Sequence, residues 1–238
     1  MCGIVGIVGP NAHNQKELLC SMRDILVHRG PDDLGDYFEK NVALGHRRLA
    51  ILDLSPLGKN PMFSNDGRYV ITYNGEVFNY QEIRLEIGDQ YQFKTATDTE
   101  VVLAAYLLWG KNCVQKFIGM FAFAIWDRKE KALFCARDRF GIKPFHYLIF
   151  KDHFYFSSEI KALLLTGHPK EANLETIYQY FKFGFYDHDV STFFNGIQRL
   201  RPGHILTYQN QKLSFESYWD IDNIELEIRD EESIMEEA

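Results

Sequence analysis

No stretch of the 238-residue sequence is apolar for long enough to span a membrane as a helix. The short apolar run at the N-terminus has no charged segment ahead of it and does not read as a signal peptide. Cysteine is scarce: Cys2, Cys20, Cys113 and Cys135 are far apart, with no C-x-x-C pair. That spacing argues against zinc, and without a secretory signal disulfides are not expected. The eight histidines are scattered with no H-x-x-x-H pair, so no metal site is expected. Basic charge is also short: 26 Lys and Arg stand against 33 Asp and Glu, a net charge of −7, with no basic cluster. Nucleic acid is therefore not an expected partner, and neither is a membrane. There are no internal repeats or low-complexity segments. A cytoplasmic protein is expected.

What is present suits a globular chain of one large domain or two small ones. Nineteen Phe and 13 Tyr suit a large β-rich core. The most informative stretch is the first, Met1 to Gly9, where a cysteine follows the initiator methionine and leads into β-branched residues broken by glycines. Removal of Met1 leaves Cys2 with both a thiol and a free α-amino group. An α-amine has an ordinary pKa near ~8, low enough to act as a base close to neutral pH. Nucleophile and base then share one residue. The same pattern also fits a small buried residue opening an edge strand. Cys20, Cys113 and Cys135 sit in apolar patterns and read as buried thiols.

After a turn at Gly9-Pro10-Asn11, apolar positions from Lys16 to Val27 mark a helix, which stops at the polar loop His28-Arg29-Gly30-Pro31-Asp32-Asp33. A strand is expected over Val42 to Leu54. Within it Arg47 and Arg48 must point to opposite faces, and an inward arginine needs an anion, either a protein carboxylate or a substrate's. Asp66-Gly67 reads as a hairpin turn into Tyr69–Tyr73. Asn74-Gly75-Glu76 follows: the Asn74 amide and the Gly75 N–H form either a two-donor oxyanion hole or a plain turn. A short helix is expected over Gln81–Ile87. Thr97 and Glu100 have capping-box spacing at the start of a buried helix. Asp98 then lies in its first turn, favoured there by the helix dipole or placed to bind an ammonium group.

Met120–Trp126 has no polar face and reads as a strand covered on both sides. Ala132–Ala136, Tyr147–Phe150 and Phe154–Ser158 are further strands, with a charged loop over Arg137–Pro144. Helices are expected over Glu159–Leu165 and from Asn173 to about Lys182, then a hairpin of His204–Tyr208 with Lys212–Tyr218. From Asp220 the composition turns acidic, and Asp230–Ala238 reads as the start of an unfinished helix, as if a further domain followed.

Several of these segments together resemble one family, the class II glutamine amidotransferases. They are Cys2-Gly3-Ile4-Val5-Gly6, His28-Arg29-Gly30-Pro31-Asp32, Gly45-His46-Arg47-Arg48-Leu49, Tyr73-Asn74-Gly75-Glu76, Gly119-Met120-Phe121-Ala122, Arg137-Asp138-Arg139-Phe140-Gly141-Ile142-Lys143-Pro144 and Ser158-Glu159-Ile160-Lys161. Within that class the sequence resembles the glutaminase domain of glutamine-hydrolysing asparagine synthetases over nearly its whole length. The resemblance implies an N-terminal nucleophile hydrolase fold. That is an α+β, four-layer αββα sandwich of two facing antiparallel sheets with outer helices. It implies a glutaminase domain over residues 1–219, with 220–238 a linker and the start of an ATP-dependent synthetase domain. The implied reaction releases ammonia from L-glutamine for transfer to that synthetase domain. Cys2, Asn74 and Gly75 are then catalytic. Arg48 meets the substrate carboxylate, Glu76 and Asp98 meet its ammonium, and backbone near Leu49 and Ile51 completes the pocket. No cofactor is expected for the glutaminase domain, and ATP and Mg only for the synthetase domain. A homodimer is a further expectation. The alternatives are a glutaminase domain serving a different amide-forming or amino-transferring synthetase, and a non-catalytic regulatory module.

Overall fold

The computed structural model describes residues 1–53 and 55–223. Its strands form two six-stranded sheets, antiparallel throughout. The first contains β1 (Gly3–Val8), β2 (Asp33–Glu39), β3 (Val42–Arg48), β8 (His146–Phe150), β9 (His153–Ser157) and β10 (Gln198–Arg199), in the order β10-β8-β9-β1-β3-β2. The second contains β4 (Met62–Phe63), β5 (Tyr69–Val77), β6 (Gly119–Asp127), β7 (Ala132–Arg137), β11 (His204–Gln209) and β12 (Lys212–Ser217), in the order β12-β11-β7-β6-β5-β4. The helices are α1 (Lys16–Asp24), α2 (Tyr80–Ile87), α3 (Asp98–Trp109), α4 (Cys113–Lys116), α5 (Ile160–Leu163) and α6 (Leu174–Phe183).

Strand alternation builds the layers. In β6, Phe121, Phe123 and Ile125 pack with α2, α3 and α4, whereas Ala122, Ala124 and Trp126 join Ile4, Leu44 and Phe156 between the sheets. On the far side of the first sheet, Val5, Ile7 and Ala43 meet Leu19 and Met22 of α1 and Leu163 of α5. The result is the expected αββα sandwich. Gly6 makes room for its cross-strand neighbour in the same sheet: a Cβ there would lie 2.1 Å from the Phe156 ring.

Several local expectations need correction. Helix α1 ends at Asp24 rather than Val27, and the chain tightens into turns in which Leu26 and Val27 donate to the carbonyls of Arg23 and Asp24. This brings Gly30 onto the backbone of β3, where a Cβ would lie 2.4 Å from the Arg47 carbonyl carbon. The expected strand over Val42–Leu54 stops at Arg48. Strand β2 was not foreseen, because an edge strand of sequence DLGDYFE has little apolar alternation. Cys113 and Cys135 are buried, but Cys20 is half-buried. Thr97 does cap α3 by accepting from Glu100 N, but the Glu100 carboxylate accepts from Lys94 N and Thr95 N rather than from Thr97. Among the described residues no helix is long and apolar enough to cross a membrane. The acidic tail, including the expected helix start at Asp230–Ala238, lies from residue 224 onward outside the described residues.

Candidate active site

The same alternation gathers the site. Ile4 and Val8 face the second sheet, so Cys2 at the head of β1 shares that inner face. On β3, Leu44, His46 and Arg48 share the inner face, while Arg47 turns outward and pairs with Asp24 of α1. On β5, Val70, Thr72 and Asn74 share the inner face, and Ile71 and Tyr73 face the helices. These faces converge at one end of the sandwich on a cavity of about 300 Å³. Cys2, Arg48, Leu49, Ile51, Asn74, Gly75, Glu76 and Asp98 all line it.

Cys2 is held from both sides. Leu49 N lies 3.4 Å from the thiol sulfur and donates to it, and Arg29 Nε donates to the Cys2 carbonyl at 2.9 Å. Arg29 is in turn bonded to Glu159, which also meets His28 and Lys161. Burial pushes the Glu159 carboxyl up, but bonds from Arg29, His28 and Lys161 outweigh it and bring it down to about 2. Burial likewise pushes the Cys2 thiol up, against the pull of the Leu49 amide, the terminal ammonium and Arg48. Burial lowers the terminal amine of Met1, assisted by Arg29 and Lys143.

Asn74 is 1% exposed, and among the described residues neither its amide nitrogen nor its amide oxygen has a partner. A buried amide left unpaired is costly and calls for an explanation. Gly75 lacks a side chain for a reason other than ligand approach: a Cβ there would lie 2.5 Å from the Met120 carbonyl oxygen on β6.

Arg48 is buried, and among the described residues no carboxylate pairs with it; it donates to the carbonyls of Asp53 and Ser55. The expected alternative of a protein Asp or Glu partner is therefore not met. This buried guanidinium lines the cavity with no ion-pair partner among the described residues. Asp98 accepts from the Tyr73 hydroxyl at 2.6 Å and from Val77 N at 3.0 Å. Burial nevertheless raises its pKa. Glu76 is half-buried on the same wall, and Ile51, 65% exposed, sits at the rim.

Sequence reasoning missed Lys143, Tyr73 and Gly58 as parts of the site. Lys143 is buried on the cavity wall, at the end of a loop held by Asp138, whose carboxylate accepts from the backbone of Phe121, Phe140, Ile142 and Lys143. The density of charge in Arg137–Pro144 was the available signal. Gly58 packs on Arg48, where a Cβ would lie 2.3 Å from Nη2. Among the described residues no three His, Cys, Asp or Glu side chains converge as metal ligands.

A half-buried thiol, a buried amide with no partner among the described residues, and charged groups of both signs thus share one cavity. The family profile described as the glutamine amidotransferase domain matches residues 1–219. The chain belongs to the class II glutamine amidotransferases. It is 39% identical over 232 residues to asparagine synthetase [glutamine-hydrolyzing] 3 of Bacillus subtilis, covering 94% of this chain and 37% of that protein. It is 32% identical to amidase chry2 of Gibberella zeae, covering 99% of this chain and 37% of that one. The chain thus spans little more than a third of these curated relatives. The solved glutamine phosphoribosylpyrophosphate amidotransferase of B. subtilis superposes with a TM-score of 0.68 at 20% identity, over 92% of this chain and 49% of that one, which establishes the shared N-terminal nucleophile hydrolase fold.

Proposed function

We propose that this domain hydrolyses the side-chain amide of free L-glutamine to glutamate and ammonia, with the Cys2 thiol as nucleophile. The observation that carries the reading is the Asn74 amide, buried in the cavity that Cys2 lines with both polar atoms unpaired among the described residues. Removal of Met1 frees the Cys2 α-amine, which takes the thiol proton as sulfur attacks the amide carbon. Asn74 Nδ2 and the Gly75 N–H hold the resulting oxyanion. The C–N bond then breaks, and the α-ammonium returns the proton to the departing ammonia. Water hydrolyses the thioester to glutamate and restores the thiol.

Arg48 receives the substrate α-carboxylate, the anion its buried charge lacks, in a charge-assisted contact. Asp98 and Glu76 receive the α-ammonium, and backbone at Leu49 and Ile51 closes the pocket. Reading both ends of a free amino acid by charge excludes a glutamine within a protein chain. In the full-length protein the ammonia would serve ATP-dependent synthesis of asparagine from aspartate. ATP and Mg would belong to that synthetase domain, and the glutaminase step needs neither. The similarity to a protein named as an amidase keeps a different ammonia acceptor as the second reading.

The test is glutamate release by a sample whose mass shows that Cys2 is the first residue. The wild type should turn over, and Cys2→Ala should unfold like the wild type yet release no glutamate. Substantial hydrolysis by Cys2→Ala would overturn the reading.

A further inference from the structure

We infer that His46 is a positioning residue that holds Asn74 in place against Cys2 by a hydrogen bond across the two sheets. The inference rests on the glutaminase reading above, in which Asn74 is an oxyanion donor. His46 lies on β3 opposite Ile4 of β1, one position inward from Gly3 and its partner Arg47. Its Nε2 is 2.9 Å from the Tyr73 carbonyl oxygen on β5. A carbonyl can only accept, so Nε2 carries the proton. That carbonyl belongs to the peptide unit that leads into Asn74, so the bond fixes the plane from which the Asn74 side chain departs. Beside it, Thr72 Oγ1 donates to the Gly45 carbonyl at 3.3 Å. Two adjacent residues of each sheet are thereby pinned to each other.

The neighbourhood shows why such a pin matters. Contact between the sheets is otherwise largely apolar and non-directional. Strand β4 pairs with β5 only at Val70 and Ile71, so among the described residues β5 has no strand partner on that side from Thr72 onward. The nucleophile sits on one sheet and its oxyanion donor on the other, so any sliding between sheets alters their separation. His46 is itself 1% exposed and lines the cavity, with Nδ1 unpartnered among the described residues. Burial and the nearby Arg48 push the imidazole down to about 4, so it is neutral at neutral pH and a poor base. Its one proton is already committed to Tyr73.

The test compares His46→Leu with His46→Gln in the full chain, processed to begin at Cys2. The glutamine side chain can present an N–H near the Nε2 position, and leucine cannot. Misplacing an oxyanion donor costs on the order of 10–100-fold in kcat. His46→Leu should lose that much kcat with KM for glutamine within about two-fold of wild type, and His46→Gln should recover most of it. Alkylation of Cys2 by iodoacetamide develops no oxyanion, so its rate should be unchanged in both variants. If His46→Leu does not fold, His46→Asn replaces it, because its shorter amide falls short of Tyr73, and the same loss is expected. An unchanged kcat in an active background overturns the inference alone, as does a loss shared equally by alkylation and KM. A wild type that alkylates at Cys2 but releases no glutamate overturns the glutaminase reading and this inference with it.

Discussion

The Tyr73 hydroxyl, on the helix-facing side of β5, donates to Asp98 Oδ2 at 2.6 Å, and Val77 N donates to the same oxygen at 3.0 Å. The carboxylate at the first turn of α3 is therefore fixed by two residues of β5, 25 and 21 positions earlier in the chain. Burial raises its pKa, and the two hydrogen bonds work against that rise. A charge-assisted contact to a substrate ammonium contributes roughly 1.5–3 kcal/mol. Asp98→Asn should accordingly raise KM for glutamine by on the order of 10–100-fold with little change in kcat. Tyr73→Phe, which keeps the charge but frees the carboxylate, should raise KM by a smaller factor. Steady-state kinetics check both, and a KM for Asp98→Asn within about two-fold of wild type would remove Asp98 from substrate binding.

Gly58 offers a test of Arg48 without changing its charge. A methyl group on Gly58 would intrude on Nη2, which is already committed to the Asp53 carbonyl. Gly58→Ala should displace the guanidinium and raise KM by several-fold, while Arg48→Ala should raise it by on the order of 10–100-fold. The order of the three KM values is the readout. A Gly58→Ala KM equal to wild type would mean that the guanidinium has room to move without consequence.

The site was legible where a strand period or a short motif determined it. Two adjacent arginines in a strand had to diverge, and Arg47 and Arg48 do so. The alternation that puts Phe121 and Phe123 on one face of β6 and Ala122 and Ala124 on the other could be read directly. What was not legible depends on meetings between strands distant in the chain. Nothing local to Gly75 says that its missing Cβ is demanded by Met120 of the next strand. Nothing local to His46 says that its ring reaches Tyr73, 27 residues on. Strand β2 was hidden for another reason: an edge strand with mixed polarity carries little period-2 signal.

Two imidazoles, the buried His46 and the half-buried His146, should shape the acid stability of the domain. His46 and His146 are both pushed down to about 4, by burial first and then by neighbouring arginines. An unfolded histidine titrates near ~6.5. Between those values the unfolded chain binds more protons than the folded one, so stability rises with pH there. The neutral-histidine contribution is present above ~6.5 and is lost as pH falls toward about 4. Each site accounts for on the order of 3 kcal/mol across the window. Urea unfolding at stepped pH should show this slope. His146→Gln should flatten it by about half, and a slope unchanged by that variant would contradict the assignment.

The final prediction concerns the base. Arg29 pins the Cys2 carbonyl and the Leu49 N–H meets its sulfur, so the residue is held at both ends whether or not Met1 precedes it. Retention of one residue before Cys2 leaves this geometry intact but converts the α-amine into an amide, which does not accept a proton near neutral pH. General-base assistance is worth roughly 10²–10⁴-fold. A chain that keeps Met1, verified by mass, should therefore lose glutamine hydrolysis by at least about 100-fold. Iodoacetamide should still alkylate Cys2, because the thiol remains in the cavity. Burial pushes that thiol's pKa up, so its alkylation should be slow at neutral pH and quicken as pH rises. Undiminished hydrolysis with Met1 in place would mean that another group takes the proton. His46 is a poor candidate, since its ring is pushed down to about 4 and its proton is committed to Tyr73. His28 would be the next to replace, and its bond to Glu159 makes His28→Gln the variant that separates a base from a hydrogen-bond partner.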